Sequence, residues 1–241
     1  MNIATDFFIL DTPVETEIGL CHFIRVKDYP KLAHNLHLFS WSKSQIIYNF
    51  LKINKDGQLT ELIEMLKKLT LHDIVRTMPE LNDAYTNVFK ATFKDPDLEK
   101  INEKNFDDIR SLVMKMNAMK EEKIVPNWEI QEAIERSKRV KAQQNGGSPD
   151  FGDMASSIVT LSSNSFTDLP EMTLYQFHMV YYRIAQAKAY DTTTLFATIP
   201  SDKKTDIEDW GKHIDLFKED KHSISKEQLN TKTKDLFGDR K

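Results

Sequence analysis

Apolar and polar residues alternate at helical spacing over most of the chain, and the pattern is clearest between residues 172 and 190. There Leu174, Phe177, Tyr181, Ile184 and Lys188 follow at intervals of three and four, and residues 179–182 widen the stripe until most of the helix's circumference should be covered by protein. Thr173 followed three residues on by Gln176 is a capping box, in which each side chain satisfies a free amide of the first turn, so the helix should begin there. It is expected to run to about Thr198, with Asp191-Thr192-Thr193-Thr194 as a candidate break.

Upstream, the runs Phe7-Phe8-Ile9-Leu10 and Leu20-Cys21-His22-Phe23-Ile24-Arg25-Val26 are rich in aromatic and branched residues and predict a small β-hairpin or pair of strands. Two strands alone are marginal and must lie on a helical body or join another sheet. Asp28 as a cap and Pro30 at an early helical position predict a helix to about Phe39. Ser42 should cap the next, with Ile46, Ile47, Phe50 and Leu51 on its buried face. Leu59, Leu62, Ile63, Leu66 and Leu69 mark a plain amphipathic helix, and further helices are expected from Thr70, from Pro79, from Asn105, from Trp128 and from Phe151. Ile207, Trp210, Ile214, Leu216 and Phe217 form an apolar set expected around a last short helix.

These elements predict a mainly α protein, a multi-helix bundle with a short N-terminal β-hairpin and a mobile C-terminal tail. The run Gln143-Gln144-Asn145-Gly146-Gly147-Ser148-Pro149 has the composition of a linker. The expected organisation is a hairpin over 1–27, a helical domain over 28–144, a linker at 145–150, a C-terminal helical domain over 151–217 and a polar tail over 218–241, mobile or ordered on a partner.

Composition narrows the function. A net charge of -4 over 241 residues argues against a general nucleic-acid binder, which needs cations to neutralise phosphates. The single cysteine, Cys21, cannot form an intramolecular disulfide. No leading basic-apolar stretch or membrane-length apolar run is present, so neither export nor membrane insertion is expected. No glycine loop of phosphate-cradling spacing exists. His34 and His37, three apart, lack a third metal ligand at readable spacing, and His178 reads as a packed core histidine. Cys21 and His22 would point to opposite faces of a strand and cannot form a nucleophile and base pair. Arg136, Lys138, Arg139 and Lys141 are interleaved with Glu129, Glu132 and Glu135, the mixture of a solvated helix face. No catalytic residue, metal site or cofactor is expected. The aromatics Tyr175, Tyr181 and Tyr182 with Trp210 and Phe217 read first as core; part of the set is a candidate partner-binding surface.

Several strings carry a resemblance. Asp153-Met154-Ala155-Ser156-Ser157-Ile158, then Leu169-Pro170-Glu171-Met172-Thr173-Leu174-Tyr175-Gln176-Phe177, then Lys188-Ala189-Tyr190-Asp191 and Asp209-Trp210-Gly211-Lys212-His213-Ile214-Asp215-Leu216-Phe217 are similar to small morphogenesis proteins of bacteriophage tail gene clusters. The opening Val14-Glu15-Thr16-Glu17-Ile18-Gly19 and Val26-Lys27-Asp28-Tyr29 fits the same group. The resemblance implies a non-enzymatic late protein, an assembly chaperone or a minor tail or baseplate component. It would contact other phage tail or baseplate proteins, in the host cytoplasm during assembly or in the virion tail. The alternative is a helical regulatory or nucleic-acid-associated protein using residues 136–141.

Overall fold

A computed structural model of the chain describes residues 5–54, 56–94, 96–144, 146–199 and 207–217. Among these are nine α-helices and one two-stranded antiparallel hairpin, the mainly α architecture expected. The tail over 218–241 lies outside the described residues.

The hairpin is smaller than the sequence runs suggest. Its strands are β1, Val14–Thr16, and β2, Gly19–Cys21, with Val14 opposite Cys21 and Thr16 opposite Gly19. Gly19 sits at φ 125°, where a side chain would be strained, and the Thr16 hydroxyl donates to its carbonyl at 2.7 Å. Ile18 at the tip is 4% exposed, so the turn is tucked onto the helices and the hairpin gains the support it needs.

The run Phe7–Leu10, expected as a strand, is instead part of a 3-10 helix over Thr5–Leu10. Strand backbone would need a neighbouring strand, whereas here side chains take up the carbonyls: the Tyr175 hydroxyl donates to Thr5 O and Gln176 Nε2 to Ile9 O. Only Phe8 enters the core, edge-on to Phe23 at 5.4 Å, while Phe7 and Leu10 stay exposed.

Beyond β2 the chain continues as an extended strap. His22 N donates to Thr92 O at one helix end, and the strap then exchanges Val26 N to Met172 O and Leu174 N to Ile24 O with the segment that starts the last helix. The strap thus ties residues far apart in sequence into one core. Buried Asn117 reinforces it, accepting from Ile24 N at 2.9 Å and donating to Val113 O.

The helices are α1 (Tyr29–Phe39), α2 (Lys43–Ile53), α3 (Thr60–Lys68), α4 (Leu71–Thr77), α5 (Pro79–Thr92), α6 (Phe106–Met116), α7 (Trp128–Gln144), α8 (Phe151–Leu161) and α9 (Leu174–Ala197). Their starts follow local chemistry. Ser42 accepts from Gln45 N, and Thr70 with Asp73, Asp150 with Asp153 and Thr173 with Gln176 each close a capping box. Asp28 makes no cap hydrogen bond, because the 3-10 turn Val26–Asp28 leads directly into α1 and Pro30 in the first turn donates no amide. On α2, Tyr48 is buried where Leu51 was expected, and Leu51 is 40% exposed.

The centre of the core is aromatic. α1 lies along α5, where Phe39 meets Tyr85 and Phe89, and Tyr85 stacks on Phe106 of α6 at 5.5 Å. Fully burying each such ring stabilises the fold by about 2–3 kcal/mol. A buried polar network crosses this region. Arg110 donates through Nε to the Tyr85 hydroxyl, through Nη1 to Glu121 and through Nη2 to Trp41 O. Burial alone would lower the guanidinium's pKa, but Tyr85 and Glu121 hold it above the ordinary value, and burial pushes Tyr85 up to about 12. Each of the three guanidinium nitrogens thus has an acceptor, one of them a carboxylate, which offsets the cost of burying the charge.

Candidate protein interface

α9 is built from two unlike halves. At its start Leu174, Tyr175 and Phe177 are buried, and Phe177 completes a three-ring stack in which Tyr29 and Phe151 lie 4.5 Å apart and Phe151 and Phe177 4.6 Å apart. Tyr181 and Ile184 still pack against the core. Past Ile184 no residue of the helix is buried, and Leu195, Phe196 and Ile199 are 68%, 60% and 56% exposed. The threonines at 192–194 do not break it: the Thr193 hydroxyl returns to Ala189 O and the helix runs on to Ala197.

The segment 207–217 is not the short helix expected from its apolar set but a turn clamped onto α9. Arg183 Nη1 donates to the carbonyls of Trp210 at 2.6 Å and Lys212 at 3.0 Å, and Gln186 Nε2 donates to Asp209 O. Gly211 N bonds the Asp209 carboxylate, closing the turn. Three hydrogen bonds from two side chains of α9 engage the main-chain carbonyls of this turn in place of an i to i-4 ladder. Leu216 is buried and Ile214 and Phe217 pack on the core, whereas Ile207 and Trp210 face outward.

The expected partner-binding residues therefore separate. Tyr175 belongs to the core: it is 6% exposed, edge-on to Phe8 and Phe23, with its hydroxyl on Thr5 O. Tyr181 and Phe217 are half-buried. Tyr182, 45% exposed, and Trp210, 53% exposed, are surface residues on neighbouring elements joined by the Arg183 clamp. Arg183, Gln186 and the pair Leu195 and Phe196 were not singled out by periodicity, which marks a buried stripe and is silent on the opposite face.

Candidate chemistry elsewhere is dispersed. Cys21 is fully buried, and burial pushes its thiol up to about 12, far from a thiolate at neutral pH. His34 faces Glu80 on the surface at 3.7 Å, and His37 is edge-on to Trp41 beside an open cleft lined by Gln45, Asn49, Lys120 and Glu122. Burial lowers the pKa of His178, which lies between Phe177 and Tyr182. Among the described residues, no group of three or more His, Cys, Asp or Glu is placed to hold a metal ion, and no helix is long and apolar enough to cross a membrane. α7 is attached by polar contacts: Gln131 is its one buried residue, Lys52 of α2 pairs with Glu135, and Lys138 pairs with Glu122. Arg136 pairs with Glu132 within the helix, so this basic run is partly neutralised by its own neighbours.

Residues 1–126 match the family model described as the YomV N-terminal domain, and residues 141–215 match the YomV second domain. The chain is 36% identical over 240 residues to the SPbeta prophage-derived uncharacterized protein YomV of Bacillus subtilis (strain 168), a match covering 99% of this chain and 100% of that relative. The relative's prophage derivation supports the phage association implied by the sequence strings. No solved structure matches.

Proposed function

The chain belongs to the YomV family, and from that premise we propose that it is a non-enzymatic phage protein acting in tail or baseplate assembly through protein-protein contacts. The observation that carries this reading is the exposed apolar surface of α9 and the turn after it: Tyr182 near the Arg183 clamp that holds Trp210, and Leu195, Phe196 and Ile199 at the outer end. Exposed aromatic and aliphatic side chains on a rigid helix are inexpensive to order on a partner, and burying each large ring contributes about 2–3 kcal/mol to a complex. As a chaperone or minor component, the protein would cover apolar helices of other tail or baseplate subunits, in the host cytoplasm or in the virion tail. Specificity would lie in the area and shape of the contact.

The test is recovery of tagged protein from cells producing the phage and from purified virions. Tail or baseplate subunits should co-purify, and Trp210→Ala or Tyr182→Ala should reduce their recovery. Recovery of those subunits undiminished in both variants, or of enzymes or nucleic acid in their place, would overturn the reading. One observation favours the alternative of a nucleic-acid-associated regulator: Arg136, Lys138, Arg139 and Lys141 are all exposed on α7. Under that alternative, DNA affinity would fall steeply with salt.

A further inference from the structure

We propose that the outer half of α9 pairs antiparallel with the same helix of a second copy of this chain. Tyr182, Ala185, Ala189, Thr192, Phe196 and Ile199 follow at intervals of three, four, three, four and three, and all six are exposed. That alternation keeps one seam facing a neighbouring helix, the requirement for knobs-into-holes packing. Among the described residues nothing covers the seam, while adjoining faces are used: Tyr181 and Ile184 meet the core, and Arg183 and Gln186 hold the 207–217 turn.

The order of sizes selects the partner and its direction. A two-fold axis between Tyr190 and Asp191 sets Ala185 of one copy opposite Phe196 of the other, Ala189 opposite Thr192, and Tyr182 opposite Ile199. Small residues at the centre let the backbones approach, and each Phe196 ring fills the space above an alanine. Parallel pairing in register would instead set Phe196 on Phe196 and leave a gap between the alanines. The seam runs on α9 from Tyr182 to Phe196 and ends on Ile199 in the turn that follows, whose amide donates to Phe196 O, about 26 Å in all at the helical rise per residue. Two such faces remove on the order of 1,000 Å² from water, near the lower bound of a specific interface, so the dimer is reversible.

This inference goes beyond the assembly reading and is decided on the purified chain alone. Sedimentation equilibrium should show the mass rising from monomer towards dimer between about 1 and about 200 µM, a range matched to a contact of this size. Ala189→Glu, which sets a carboxylate near the axis on an exposed helical position, should weaken the association at least tenfold with the helical circular dichroism unchanged. On oxidation, a mixture of Ala185→Cys and Phe196→Cys proteins should form the mixed disulfide, while Ala185→Cys alone should not cross-link, its two copies lying about 16 Å apart along the axis. A monomeric mass for the natural chain at every concentration overturns the pairing. Cross-linking of Ala185→Cys with itself, or no mixed disulfide from a dimeric sample, overturns the antiparallel register.

Discussion

The first three turns of α9 and its last three are the same helix in two surroundings. Phe177 is fully buried in a ring stack; Phe196, five turns on, is 60% exposed. The first half has capping, stacking and a strap hydrogen-bonded to its start, whereas the second half has one clamp on its flank and an open apolar face. The difference shows that burial ends part-way along one element, and under the proposals above association would fall to the remainder. A residue's hydrophobicity does not say whether it is buried; the face of the helix it occupies does, and past Ile184 no face of the helix is buried.

Substitutions can break that division, beginning with the largest effect. Phe177→Ala should destabilise the protein by about 3–5 kcal/mol in urea or thermal unfolding, since it empties a fully packed site. Thr173→Ala should lose about 1–2 kcal/mol, because it removes the acceptor for Gln176 N at a fully buried cap. Arg183→Ala should lose about 1 kcal/mol and speed amide exchange across 207–217, since the clamp is made at an exposed edge.

A smaller effect should follow pH within the first half. The folded pKa of His178 lies below its ordinary value of 6.5 because burial disfavours the imidazolium. The unfolded chain therefore binds a proton more readily, and the contribution is complete above the unfolded value and is lost as pH falls through it towards the folded one. The melting temperature of the natural chain should drop more between about pH 7.5 and 5.5 than that of His178→Phe, a difference in which the other histidines cancel. Equal drops would place the sensitivity elsewhere. Smallest of all, Trp210→Ala should shift stability by less than about 0.5 kcal/mol, as for other exposed positions.

Much of the fold was legible because it depends on short-range chemistry. The capping box at Thr173, the cap at Ser42 and the stripes of α3 and α9 are local, so the residues themselves state them. Errors arose where distant partners decide. Phe7–Leu10 has strand composition, but Tyr175 and Gln176, more than 160 residues away, supply the hydrogen bonds that make it a helical turn. The 207–217 segment has helical apolar spacing, but Arg183 and Gln186 take its carbonyls. The candidate site was half legible for the same reason. Tyr182 and Trp210 stood out as aromatics, yet nothing in the local sequence distinguishes them from Tyr175, whose burial depends on Phe8 and Phe23 arriving from the other end of the chain.

The division of α9 is tested most directly by Phe196→Ala, examined on one sample for both melting and mass. The melting temperature should stay within about 2 °C of the natural chain's, as expected for a surface position in a domain of this size, while the concentration-dependent dimer is lost. A fall in melting temperature comparable to that of Phe177→Ala, with the mass unchanged, would contradict it.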